Sequence, residues 1–205
     1  MDKENFRIKQ KIKLKNKISI SYKKDFLTFK EVNTIIQKFK IKNILIYIPL
    51  NYEINIYKFR RQLSKKCKIF IPFMQDKSLK IVKLRLPLFK KRFGILEPRN
   101  SLFDAKIQLA IVPIVGIDKD FKRIGHGNGF YDRFFGSLNY KPIIIFTQNI
   151  KGISKDKLTN SYDIKGDFYI NPENKYYKKE IKNDNKYNAH INWNYFRFNY
   201  RIFYS

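Results

Sequence analysis

Residues 123–134, reading R-I-G-H-G-N-G-F-Y-D-R-F, hold the densest set of groups suited to binding an anion. Glycines alternate at 125, 127 and 129, a spacing that lets the backbone take positive φ and approach a ligand closely. A helix starting at Phe130 presents free backbone N–H groups, which favour phosphate. Arg123, His126 and Arg133 add side-chain donors, and Asp132 places a carboxylate beside the same loop. A carboxylate there suits Mg²⁺ holding nucleotide phosphates. The segment is neither a Walker A loop, which needs Gly-Lys-Ser/Thr, nor a dinucleotide fingerprint. The simpler alternative is a tight strand-to-helix turn without a ligand, with Asp132 pairing locally to Arg133.

The elements that must position this loop follow from hydrophobic periodicity. Residues 3–17 predict a short basic amphipathic helix with Phe6, Ile8, Ile12 and Leu14 as its apolar residues. A second helix is expected from Asp25 to Lys40, where Phe26, Phe29, Val32, Ile35, Ile36 and Phe39 make one stripe. Ile54 to Lys66 also reads as helical. Short apolar runs at 43–49, 68–73, 108–115 and 142–147 read as buried strands of a parallel sheet. Residues 79–84 predict a more exposed strand, and 167–170 a short final one. Strands alternating with helices argue for an α/β fold, a single three-layer α/β/α domain with a mostly parallel, Rossmann-like sheet. The domain is expected to span residues 1–173. Residues 174–205, aromatic, Asn-rich and basic without clear period, are expected to be a C-terminal extension whose removal leaves folding and activity intact.

The 205 residues include 44 Lys and Arg against 17 Asp and Glu, a formal net charge of +27. Such a field attracts anionic partners. The same excess of Lys, with Ile, Asn, Phe and Tyr, is what an A/T-rich coding sequence imposes on any protein. At 43% hydrophobic and 17% aromatic, the chain is too apolar for a disordered protein. Cys67 is the only cysteine, which excludes an intrachain disulfide and a cysteine zinc cluster. Its place beside a strand reads as that of a small core residue. No apolar run approaches the roughly 20 residues of a membrane span. Residues 1–17 lack the apolar stretch of a signal peptide. The expectation is a cytoplasmic monomer without membrane contact.

Beyond chemistry alone, the segment V-P-I-V-G-I-D-K-D-F-K-R-I-G-H-G-N-G-F-Y-D-R-F resembles the signature of 5-formyltetrahydrofolate cyclo-ligases (5,10-methenyltetrahydrofolate synthetases). Four further segments resemble the family in order and spacing: K-E-N-F-R at 3–7, I-P-L-N-Y-E-I at 48–54, F-G-I-L-E-P at 93–98 and S-Y-D-I-K-G-D at 161–167. The resemblance covers residues 3–172. It implies ATP-dependent cyclisation of 5-formyltetrahydrofolate to 5,10-methenyltetrahydrofolate, with Mg²⁺ as cofactor and ATP as co-substrate. The positive charge is expected to favour a folate that carries a polyglutamate chain.

By that resemblance, Lys3, Arg7, Arg123, Gly125, His126, Gly127, Asn128, Gly129, Phe130 and Tyr131 bind ATP. Ile48, Glu53, His126 and Phe130 bind folate. Arg123, His126 and Tyr131 are the catalytic candidates, and Asp132 and Asp163 hold the metal, with Asp167 a weaker choice. The plain alternatives stay open: Lys3 and Arg7 as a solvated helix face, Glu53 as a helix N-terminal acid, Asp163 and Asp167 as turn residues. The chain departs from the family pattern at Phe6, Asn55, Ile114, Phe130 and Tyr162. An inactive member of the family is therefore one competing reading. Another is a basic nucleic-acid-binding protein, supported by the net charge and by tail aromatics such as Tyr176, Trp193 and Phe198. Charge spread along the whole chain and the lack of a nucleic-acid motif limit that reading to non-specific contacts.

Overall fold

In the computed structural model, which describes residues 2–16, 21–75, 78–91, 94, 96–101 and 105–177, five parallel strands form the centre of a seven-stranded sheet. In chain order, the elements begin with α1 (Lys3–Asn16), α2 (Tyr22–Lys38) and β1 (Asn43–Leu45). A 3₁₀ turn (Ile56–Phe59) runs into α3 (Arg60–Ser64), followed by β2 (Lys68–Gln75) and β3 (Ser78–Lys83). Then come β4 (Phe89–Lys90), β5 (Leu96–Glu97), β6 (Leu109–Pro113), β7 (Gly116–Ile117) and β8 (Arg123–Ile124). The chain continues through α4 (Phe130–Gly136), β9 (Ile143–Thr147), β10 (Phe168–Ile170) and β11 (Lys175–Tyr177).

The sheet order is β11-β10-β9-β6-β1-β2-β3. β3 and β11 are its antiparallel edges, while β2, β1, β6, β9 and β10 run parallel. The apolar runs fill both faces by simple alternation. Ile44, Ile69, Ile71, Leu109, Ile111, Ile145 and Phe168 pack with Phe29, Val32 and Ile36 of α2 and with Phe59. Leu45, Phe70, Ala110, Val112, Ile144 and Phe146 face the other way, towards Phe134 of α4, Ile114, Ile117 and Ile164. Each such fully buried aliphatic side chain contributes roughly 1.5–3 kcal/mol.

Several expectations are corrected. In α1 the buried residues are Phe6, Gln10 and Leu14, while Ile8 and Ile12 stand outside. Phe6, Gln10 and Leu14 recur every four residues on one face, and Ile8 lies about 200° around the helix from Phe6. α2 starts at Tyr22 behind Ser21, ahead of the expected Asp25, and Phe26 is exposed and stacks on Tyr22. Asp25 instead accepts the Asn55 amide at 2.8 Å and the Lys58 ammonium at 2.6 Å, which ties α2 to the 3₁₀ turn. The helix expected over 54–66 is that turn plus a single short helix. The short pairs β4–β5 and β7–β8 were not anticipated. Cys67 is buried as expected; its thiol donates to the Ile41 carbonyl at 3.1 Å, and burial pushes its pKa up.

The sheet also passes the boundary placed at residue 173. β11 pairs with β10, Tyr176 stacks on Tyr169 at 5.5 Å, and Lys175 bonds Glu31 of α2 at 2.7 Å. The remainder of the expected extension, with His190, Trp193 and Phe198, lies outside the described residues. No helix among the described residues is long and apolar enough to cross a membrane.

Candidate active site

Open α/β sheets bind ligands beyond the carboxyl ends of their strands, at the point where strand order reverses. Here that point lies between β1 and β6, since the chain builds from β1 through β2 to β3 and then returns to β6. Beyond β1 come Tyr47 and Ile48; β6 ends at Pro113. All three line a cavity of about 240 Å³. Its other walls are mostly apolar, from Leu50, Pro72, Met74, Leu79 and Leu96 to Phe130 and Tyr131. Glu53, Glu97, Arg123, His126 and Asn128 are its polar side chains apart from the Tyr47 and Tyr131 hydroxyls.

A second, polar cleft of about 660 Å³ adjoins it. Lys3 and Arg7 of α1, Arg123 of β8 and Arg133 of α4 line this cleft with Asp132 and Asp163. Gly125, Gly127 and Gly129 form its floor with Asn160, Tyr162 and Gly136 close by. Among the described residues, four cations against two carboxylates leave it electropositive. Arg123 and Gly129 line both spaces.

The glycine loop explains this junction. Gly127 has φ 118° and Gly129 has φ 64°, values that side chains with a Cβ rarely adopt. A Cβ on Gly125 would run into the Arg123 guanidinium. Arg123 is 6% exposed; it donates to Asp132 at 3.2 Å and lies 5.1 Å from the Tyr131 ring centroid. Helix α4 has only two turns, so the charge in the cleft comes chiefly from side chains. Arg7 donates to the Gly125 carbonyl at 2.8 Å, Lys11 to that of His126 at 3.1 Å and Arg133 to that of Asn128 at 2.6 Å. Three cations therefore hold the loop by its carbonyls.

Both carboxylates of the cleft are ion-paired. Lys3 reaches the two Asp163 oxygens at 2.7 and 2.6 Å, and the Asn160 amide adds a bond at 2.7 Å. Asp132 takes Arg123 and the Ile164 amide, not Arg133. Asp167 is spent on the Ile144 amide of β9 at 2.8 Å, away from the cleft. Among the described residues no cluster of three or more His, Cys, Asp or Glu could form a metal cage. A Mg²⁺ bound with nucleotide needs fewer: one or two carboxylates, with phosphate and water oxygens completing the shell. Asp132 and Asp163 fit that requirement by lining one cleft.

The candidate residues thus divide. Lys3, Arg7, Arg123, Gly125, Gly127 and Gly129 lie on the cleft, whereas His126, Asn128, Phe130 and Tyr131 line the apolar cavity with Ile48 and Glu53. Glu53 accepts the Leu50 amide at 2.9 Å and places Oε1 3.6 Å from His126 Nε2. Burial pushes the Tyr131 phenol well above its ordinary range, with Glu53 adding to the rise and Arg123 opposing it. That hydroxyl is a proton donor at neutral pH. Burial and the Glu53 charge likewise push Tyr52 up to about 12.

Sequence reasoning missed Tyr47, Pro72, Met74, Leu79, Leu96 and Glu97 as cavity walls. Glu97 alone had a signal, as the acid of the quoted G-I-L-E-P turn. The departures from the pattern are absorbed locally. Ile114 packs in the apolar cluster under β6, Phe6 is buried in α1, and the Asn55 side chain caps the 3₁₀ turn through the Lys58 amide. Tyr162 stands exposed on the cleft rim.

Comparison with known proteins agrees with this architecture. The chain is similar to the 5-formyltetrahydrofolate cyclo-ligase of Mycoplasma pneumoniae, 27% identical over 134 residues, 65% of this chain and 74% of that protein. It is 28% identical over 120 residues to the Haemophilus influenzae 5-formyltetrahydrofolate cyclo-ligase, 54% of this chain and 64% of that one. The fold is similar to the solution structure of an Aquifex aeolicus 5,10-methenyltetrahydrofolate synthetase, with a TM-score of 0.72 at 19% identity, covering 94% of this chain and 99% of that chain. A Mycoplasma pneumoniae 5,10-methenyltetrahydrofolate synthetase gives a TM-score of 0.64 at 23% identity, covering 84% and 100%. Residues 6–149, which carry the glycine loop, its cations and most of the cavity wall, match the family as a whole, and the chain belongs to the 5-formyltetrahydrofolate cyclo-ligase family.

Proposed function

We propose that this chain cyclises 5-formyltetrahydrofolate to 5,10-methenyltetrahydrofolate at the expense of ATP, releasing ADP and phosphate. The observation that carries the reading is the junction: an apolar cavity for a flat ring and a cationic cleft for phosphates share Arg123 and Gly129. The formyl oxygen of a ligand in the cavity meets the γ-phosphate of a nucleotide in the cleft at that border. Attack of this oxygen on the γ-phosphorus breaks the bond to ADP and leaves a phosphorylated formyl group. N10 then attacks the formyl carbon, phosphate departs and N10 loses its proton.

The chain's own groups serve each step by position and charge. Lys3, Arg7 and Arg123 offset phosphate charge, and Arg123 stays beside the transferred group because it borders both spaces. Asp132 and Asp163 would hold a Mg²⁺ once phosphates engaged Lys3 and Arg123, and the metal would supply further charge neutralisation. His126 accepts the N10 proton; its position in the cavity wall, 3.6 Å from Glu53, supports that role. Tyr131, held protonated in the cavity wall with its ring beside Arg123, donates a hydrogen bond to the ligand in the cavity.

The test is growth of the methenyl-folate absorbance band on mixing the protein with 5-formyltetrahydrofolate and MgATP. Growth that needs ATP and is lost in Asp132→Asn supports both the reaction and the metal side. Growth retained in that variant keeps the reaction and removes Asp132 from it. No product from folded wild-type protein, across salt and metal conditions, overturns the reading.

A further inference from the structure

Glu97, in β5, is 2% exposed and lies in the wall of the apolar cavity. Its Oε1 accepts the Met74 amide at 2.9 Å. Its Oε2 has no hydrogen-bond partner among the described residues. Much of the cavity wall supplies none, since Ile48, Pro72, Leu79, Leu96 and the Met74 side chain are apolar. Arg123, the one guanidinium among the described residues that line the cavity, is paired with Asp132. Glu53 differs, since its second oxygen already faces His126. A carboxylate oxygen in the wall of an apolar cavity, with no protein donor to bond, is poorly solvated there and favours a donor on a ligand. The missing donor is therefore expected from the ligand.

We propose that Glu97 is a specificity-determining residue that accepts an N–H of the 2-amino group on the pyrimidine ring of a reduced pterin. This rests on the folate reading above. The 2-amino-4-oxo ring carries two adjacent donors, N3–H and the 2-amino group, beside an acceptor, O4. A carboxylate oxygen attracts the donor edge and repels O4, so it sets which edge of the ring enters. The apolar walls cover the ring faces, and the ring's far side then points its N5 substituent towards the Arg123 border.

The experiment compares dissociation constants for 5-formyltetrahydrofolate and its 2-desamino analogue, in wild type and Glu97→Gln. The variant's amide oxygen can keep the Met74 contact, so an unchanged melting temperature checks the fold. Wild type is expected to prefer the parent by about tenfold or more, the worth of one hydrogen bond to a charged group. Glu97→Gln is expected to lose that preference by weakening the parent and sparing the analogue. Equal preference in both proteins, or parent affinity unchanged in the variant, overturns the role of Glu97 alone. Should the variant not fold, wild type decides: parent and analogue bound equally overturns the role. Wild type binding neither pterin overturns the folate reading, and this assignment with it.

Discussion

The cavity and the cleft are neighbours with opposite construction. The cavity is walled by strand ends and hairpins, and its polar groups are few and individually placed. The cleft is walled by a loop held from outside by cations, with its carboxylates already neutralised. On the proposed function, one space recognises by shape and a few oriented groups, the other by charge. Substitutions should therefore separate by substrate, except at the two residues common to both.

The largest effect is expected at that border. Arg123→Ala should lower kcat/KM by about 10²–10³-fold, the usual loss for a preorganised donor at developing charge, and should affect both substrates in steady-state kinetics. A change confined to one KM would break the division drawn here. Gly125→Ala pushes a Cβ into Arg123 and costs about 1–3 kcal/mol of overpacking. Its activity should fall about 10–100-fold, again for both substrates.

Lys3→Ala should act on one side only. The KM for ATP is expected to rise about tenfold with folate KM unchanged, and the bared Asp163 should cost roughly 1–3 kcal/mol in urea unfolding. A matching rise in folate KM would merge the two compartments.

Asp118 sharpens the comparison through stability. It is 1% exposed; burial raises its pKa, but bonds from Thr159 and from the Lys122, Leu158 and Thr159 amides outweigh that and hold it below its ordinary 3.8. These bonds tie β7 to the segment that carries Asp163. With the folded pKa depressed, the stabilisation is complete above the unfolded value near 3.8 and fades as pH falls through the folded one. Asp118→Asn should thus lose about 1–3 kcal/mol at pH 7, and the gap to wild type should close in acid unfolding curves. A constant gap down to pH 2 would remove the carboxylate's charge from the account. The smallest effect is expected from the glutamate tail of the folate: a few-fold tighter binding of polyglutamates at low salt, lost as salt rises.

What was legible in the sequence follows the strength of each physical signal. Buried parallel strands read as continuous apolar runs, so β1, β2, β6 and β9 were found, with ends shifted by a few residues. Two-residue pairings such as β4–β5 and β7–β8 carry no periodicity and were invisible. β11 was hidden because an edge strand of half-buried Lys and Tyr looks like an irregular basic tail. Ile8 and Ile12 misled because apolar type alone does not say which helix face turns inward. In the site, the loop glycines and charged residues announced themselves by chemistry. Met74, Leu79 and Leu96 could not, since an apolar side chain in a wall looks like one in a core. Ending the chain at Asn174 should now cost the edge strand, about 1–3 kcal/mol against a chain ending at Tyr177.

The bond between Lys3 and Asp163 spans 160 positions of the chain. During synthesis the side chains that wall the cavity have all been made once residue 131 has left the ribosome. The cleft cannot close until the last of its residues, Asp163, emerges and the N-terminal helix folds back onto it. A nascent chain stalled between those points should show no protection by nucleotide, whereas one stalled well past Tyr177 should. On the proposed function, nucleotide capture thereby waits for Asp163, so a chain broken off before that residue lacks part of the cleft.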